Sequence, residues 1–182
     1  MGLEFTTSHL RDSLAVFRYY KKLAEGAMAQ VADDALLRAG GEEENSIAVI
    51  VKHMAGNMRS RWTDFLTADG EKADRNRDSE FTDPPRTRDE LLTLWERGWS
   101  CVFGALEPLT DTDLARTVHI RGEAHSVTQA INRQIAHYAY HVGQIVVLGK
   151  QYCAGEWKSL SIPRGKSQVF NAKVAAGELS QR

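Results

Sequence analysis

The chain has 182 residues, a formal net charge of -1 and a composition that is 42% hydrophobic and 26% charged. That is enough chain to bury a core as a single domain without disulfide or metal staples, with a core of about residues 8–152 and a tail of 153–182. The near-neutral charge argues against a nucleic-acid partner, which needs a concentrated basic surface, and no apolar run reaches the 18 residues that would suggest a membrane span.

The first helix is expected from about Ser8 to Leu37, because Leu10, Leu14, Phe17, Ala24, Met28 and Val31 recur at steps that keep one face apolar. Before it, "MGLEFTTSHLRDSLAVF" has no basic segment leading into an apolar one, so no signal peptide is expected. Gly2 with Thr6 approaches a myristoylation pattern, but nothing else supports an anchor. "AGGEEENS" ends the first helix, and Asn45 or Ser46 caps the second, which is expected to run to about Thr67. A charged loop follows over residues 69–86 and closes at Pro84 and Pro85. A loop this long is either a lid or a solvated crossover, and the residues leave both open. Its charge run from Asp69 to Glu80 mixes both signs, so no strong steering field is expected.

Thr87 and Glu90 form a T-x-x-E capping box for a third helix that stops at Pro108. "TVHIRGEAHS" reads as a short β-hairpin turning at Gly122-Glu123. Ser126 and Gln129 then cap a fourth helix running to about Gln151. The tail does not read as a fifth helix of comparable length, but Trp157, Leu160, Ile162 and Phe170 should pack on the rest of the chain or on a partner. Four long helices without central strands predict an all-α antiparallel four-helix bundle. Cys101 and Cys153 are too few for a disulfide framework, which suits a reducing cytoplasm. Cys101, beside Trp99 and Phe103, reads as a small core hydrophobe, and the four tryptophans read as core or interface anchors.

His137 and His141 share one stripe of the fourth helix with Gln134 and Ile145, about 40° apart. Two imidazoles at i and i+4 can address one metal ion, but the pair alone is equally two hydrogen-bonded core histidines. A third ligand would come from a facing helix, and His53 in "IAVIVKHMAGN" is the candidate. Asn57, Arg61 and Asp64 continue the stripe of His53, and Gln134 precedes His137 by about one turn. These four are candidates to line a polar cavity, or amides and charges that satisfy one another. His9, His119 and His125 read as surface or capping residues, and Tyr138 and Tyr140 as packing and surface neighbours. No H-E-x-x-H, E-x-x-H, G-x-x-x-x-G-K-[ST] or G-x-G-x-x-G is present.

The segments "SIAVIVKHMAGNMRSRWTDFLTADGEKADRNRDSEF", "INRQIAHYAYHVGQIVVLGK" and "WKSLSIPRGKSQVFNAK" resemble an uncharacterised subfamily of the DinB-like (DinB/YfiT-like) metalloenzymes, over roughly residues 8–173. The resemblance implies a four-helix bundle, a homodimer and a metal triad of His53, His137 and His141. Relatives of that fold include thiol-dependent S-transferases and a thiol-dependent isomerase. The resemblance carries over the bundle and the metal but not a substrate, and metal-dependent transfer of a low-molecular-weight thiol to a small electrophile is the first of three readings it leaves open. A metal-dependent hydrolase, or a non-enzymatic bundle with a structural or sensing metal, stays open. Three imidazoles suit zinc, nickel, iron or copper, with zinc or nickel the expectation and iron also open.

Overall fold

The computed structural model describes residues 7–41 and 43–179, so Gly2 and Thr6 lie outside the described residues. Within them the chain is mostly helical: α1 His9–Met28, α2 Asp33–Leu37, α3 Ile47–Trp62, α4 Arg88–Leu106, α5 Val127–Tyr152 and α6 Ser167–Ala175. Two strands, β1 Thr117–Ile120 and β2 Glu123–Ser126, form an antiparallel hairpin before α5. Among the described residues, no helix is long and apolar enough to cross a membrane.

The caps follow local rules. Ser46 Oγ accepts the Val49 N–H at 3.2 Å. Ser126 and Gln129 exchange both bonds of a capping box, at 3.1 and 2.9 Å. At α4, Thr87 accepts the Glu90 N–H at 3.2 Å, but the Glu90 carboxylate takes the Arg86 N–H instead of that of Thr87. The box expected there is therefore only half made.

The first helix is shorter than its periodicity suggests. It ends at Met28, and the chain turns before restarting as α2. Arg88, at the start of α4, donates to the carbonyls of Met28 and Val31 at 3.1 and 2.7 Å and also pairs with Asp33. A guanidinium distant in sequence thus satisfies the carbonyls that the break leaves open. The second long helix likewise stops at Trp62, five residues early. Asp64 adopts a left-handed conformation with φ 48°, and Phe65 folds back onto Trp62 with ring centroids 4.8 Å apart. Phe65 is buried in the core beside Trp62.

Thirteen of the sixteen residues of α3 are buried, which marks it as a central helix enclosed on several sides. It packs on α4 and α5, while α1 packs on α5 and α4. The four long helices meet at an aromatic centre: Phe17 of α1 lies 6.2 Å from Trp62 of α3, 6.2 Å from Trp99 of α4 and 5.7 Å from Tyr138 of α5, between ring centroids. Gly98 permits the close approach of α4 to α3, because a Cβ there would stand 3.0 Å from Ala55 Cα. Cys101 is partly buried against the same core. In the tail, Trp157 and Leu160 pack on the core and Lys158 exchanges two backbone bonds with the Gln30 amide. Ile162 and Phe170 are half-buried, and no residue of α6 is fully buried.

The hairpin turns at Arg121-Gly122, one residue before the expected position, with φ of 57° and 77°. Two positive φ values make the mirror-image turn that matches strand twist. Arg121 is tolerated there because the Asp69 carboxylate accepts the N–H of Arg121 at 2.8 Å and of Gly122 at 2.7 Å. Asp69 also accepts the Glu71 N–H, and these backbone donors hold its carboxyl down at about 2. The loop after α3 is thereby pinned to the hairpin. Replacing Asp69 with alanine should cost about 1 kcal/mol, a figure kept small because the carboxylate faces solvent. In the parent protein this contribution is complete above the ordinary carboxyl value of 3.8 and lost as pH falls through about 2. Urea melts of both proteins between pH 7 and pH 2 check this: the gap between them should close only in acid.

Candidate metal centre

His53 sits in the middle of α3, enclosed by the elements around it and only 4% exposed. His137 and His141 sit one turn apart on α5, on the stripe that faces α3. Packing brings His137 Nε2 to 3.3 Å from His53 Nε2 and 3.1 Å from His141 Nε2. The ligand atoms of all three lie within 4.8 Å of one another. Two imidazoles bound to one zinc at about 2.0–2.1 Å in tetrahedral geometry have their nitrogens about 3.3–3.4 Å apart. The observed spacings suit such a centre after small adjustments.

The far side of each ring decides which nitrogen carries the proton. His53 Nδ1 lies 2.8 Å from Glu80 Oε2. Burial alone would raise the Glu80 carboxyl, but bonds from His53 and Arg75 outweigh it and hold it below the usual range. As a carboxylate it only accepts, so His53 donates from Nδ1. His141 Nδ1 lies 2.8 Å from Gln144 Oε1, a carbonyl oxygen, and donates likewise. In their neutral forms both rings therefore present Nε2 lone pairs, and both lone pairs face His137. Burial, with His141 and His53 alongside, pushes His137 down to about 3, and burial lowers His141 as well. With two Nε2 lone pairs converging on His137 Nε2, the three rings form a donor set suited to a cation once His137 presents its own Nε2 lone pair. These three histidines can hold a metal ion.

The long loop supplies what the helices lack. Glu80 is 5% exposed, and its carboxylate accepts from Arg75 at 2.8 and 3.0 Å as well as from His53. Phe81 stacks on His53 with centroids 4.9 Å apart. A Cβ at Gly56 would collide with the Glu80 carboxylate, so the smallest residue occupies the helix surface beneath it. Arg61 is also buried. It reaches Gly70 O and Glu71 Oε2 while its Nε has no partner, and burial draws its guanidinium below the usual value despite Glu71. The loop is thus a strap that lays Glu80 and Phe81 against His53, while many of its other residues are exposed.

Three of the four candidates for the cavity wall join the histidines. Asn57, Gln134 and Arg61 are buried and line a cavity of about 490 Å³ with His53, His137 and His141. Trp62 Nε1 donates to Tyr138 Oη at 2.9 Å, and Tyr138 donates to Asn57 Oδ1 at 3.2 Å. This chain leaves the amide N–H groups of Asn57 for the cavity. Asp64 does not join them: it is exposed, beyond the end of α3. Its place on the stripe assumed a helix that continues to Thr67. Tyr138 is fully buried, while Tyr140 is 64% exposed and also borders the cavity. His119 is exposed and His9 and His125 half-buried, all outside the cluster.

Sequence reasoning missed Glu80, Arg75, Phe81 and Gln144. Gln144 was readable, because it stands three residues after His141 on the same helix. The one signal for the loop was Phe81, a lone aromatic in "NRDSEFTDPPR" that water alone would not hold. Folding also sorts the mixed charges: Arg75 and Arg77 line the cavity while Asp74 turns outward to Arg59.

No curated protein and no solved structure matches the chain. The family described as "Protein of unknown function (DUF1572)" matches over residues 4–166. That span holds α1 to α5, the strap and all three histidines, and the chain belongs to this family.

Proposed function

We propose that the protein is a DinB-like metalloenzyme, a single four-helix-bundle domain in which His53, His137 and His141 hold one divalent ion. The observation that carries this reading is the meeting of three Nε2 atoms, two of them fixed as lone pairs by Glu80 and Gln144. Bound there, zinc, nickel or iron would supply Lewis acidity and an open position for a thiol or water. The triad opens on a cavity, whereas structural sites are closed by a fourth protein ligand. That favours turnover over a purely structural or sensing role.

The residues of the chain then have distinct tasks. Glu80 and Gln144 set the ring tautomers, and Arg75 neutralises Glu80. Asn57 presents amide donors to a ligand, and Gln134 presents a buried Oε1 that lacks a partner. Phe81 shields His53 from water. The reaction we infer is transfer of a low-molecular-weight thiol to a small electrophile, in a cytoplasmic homodimer without nucleic-acid or membrane partners. The alternative is a hydrolase, since the same amides would orient water.

Metal analysis tests the reading first. The purified protein should carry, or take up, about one equivalent of a divalent transition metal per chain. Less than about a tenth of an equivalent, with no uptake on titration, would sink it. Metal-loaded protein incubated with monochlorobimane and a range of thiols should then form the conjugate faster than metal-free protein. Ester or amide cleavage without conjugation would instead select the hydrolase.

A further inference from the structure

The cavity over the triad has a wall of unusual charge. Five arginines line it, Arg61, Arg75, Arg77, Arg121 and Arg133, and among the described residues no Asp or Glu does. They come from four parts of the fold: α3, the strap, the hairpin turn and α5. Two carboxylates behind the wall answer three of them. Glu71 pairs with Arg61, Arg75 and Arg121, and Glu80 pairs with Arg75. Arg77 and Arg133 have no carboxylate within 4.0 Å among the described residues. Arg77 lies over the Phe81 ring, 5.1 Å from its centroid, and Phe81 in turn stacks on His53. Arg133 stands one turn before His137 on α5. Both are solvent-accessible, as the mouth of a site requires.

A cleft lined by one sign of charge focuses its field on small ions of the opposite sign. Guanidinium groups present planar forks that match carboxylate and phosphate oxygens. Three neutral imidazoles would leave the full charge of a divalent ion uncompensated, so a bound metal adds to the field. The buried Arg61 Nε, which has no partner, marks a donor that the protein does not use internally.

From this we propose that the ligand of this cavity is a small organic anion, held by its carboxylate or phosphate-like group on Arg77 and Arg133. The inference rests on reading the cavity as the substrate site and adds the charge class of that substrate. The volume, about 490 Å³, is within the range of small-molecule sites.

Calorimetric titration tests it with three probes of similar size: benzoate, phenylphosphonate and benzyl alcohol. Zinc-loaded and metal-free protein are both titrated, at about 20 mM salt to limit screening. The two anions should bind at least about tenfold tighter than the alcohol, with the preference shrinking as salt rises. Arg77→Gln and Arg133→Gln should each weaken anion binding about tenfold. Arg133→Lys should recover part of the loss, and Arg164→Gln, at an exposed position outside the cavity, should change nothing. Benzyl alcohol binding as tightly as the anions, or anion binding unchanged in both glutamine variants, overturns the proposal. Zinc affinity is measured separately by chelator competition. Arginine-dependent anion binding without zinc binding supports this inference and fells the metal reading. Zinc binding without an arginine-dependent preference fells this inference alone.

Discussion

In His137→Ala, zinc affinity is expected to fall by about 10³-fold, as removal of one of three protein ligands should forfeit a comparable share of the binding energy. His137 is the central member of the cluster, with Nε2 3.3 Å from that of His53 and 3.1 Å from that of His141. Without it, two imidazoles remain, one fewer than the three protein ligands of an open divalent site. Chelator competition on the folded variant measures the loss. Affinity within tenfold of the parent would show that His137 is not a ligand. The metal-free proteins should differ in the opposite sense in acid. His137 is held down at about 3, against 6.5 in an unfolded chain. Below pH 6.5 the unfolded chain takes up a proton that the folded site refuses until about pH 3, so this residue lowers stability progressively across that window. Metal-free His137→Ala lacks the penalty and its Tm should fall less between pH 7 and pH 4. A buried Nδ1 without a partner disappears with the ring, so the variant is not expected to unfold.

The second large effect belongs to Glu80. Its carboxylate is buried between His53 and Arg75, and Glu80→Gln leaves the Arg75 guanidinium without that charge partner. Breaking a buried ion pair by removing one charge costs about 3–5 kcal/mol, because the remaining charge stays out of water. Glu71, at 3.3 Å from Arg75, moderates this toward the lower figure. The glutamine carbonyl can still accept from His53 Nδ1, so the tautomer survives but the imidazole loses the basicity that a carboxylate lends. Zinc affinity should drop about 10- to 100-fold. Urea denaturation of the metal-free protein and chelator competition separate the two effects. An unchanged melting curve together with unchanged zinc affinity would mean that the strap does not hold the site together in solution.

Much of the scaffold could be read before any coordinates. Ser46 and Ser126 cap the helices that carry the histidines, at the positions their sequences predict. The spacing of His137 and His141 put them on one inward stripe of α5, and an apolar surround put His53 inside α3. Those inferences hold because capping and helical periodicity act over three or four residues. Two of the errors trace to contacts across the chain. Nothing near Met28 announces that α1 stops there; Arg88 satisfies the carbonyls at the break. Nothing near Arg121 announces a left-handed residue; Asp69 supplies the acceptor that stabilises it.

By itself, then, the sequence determined where the four long helices begin and are capped and which three imidazoles share the interior. Those are consequences of local backbone hydrogen bonding and of the burial of apolar stripes. Only the tertiary structure decided that the charged loop is a strap, that Glu80 and not a helix residue orients His53, and that Asp64 lies outside. It also decided that five arginines face one cavity. A loop has no periodicity from which its inward side can be read. Which of its charges is worth burying depends on partners that other elements bring to meet it: His53 and Gly56 of α3 for Glu80, and the hairpin turn for Asp69.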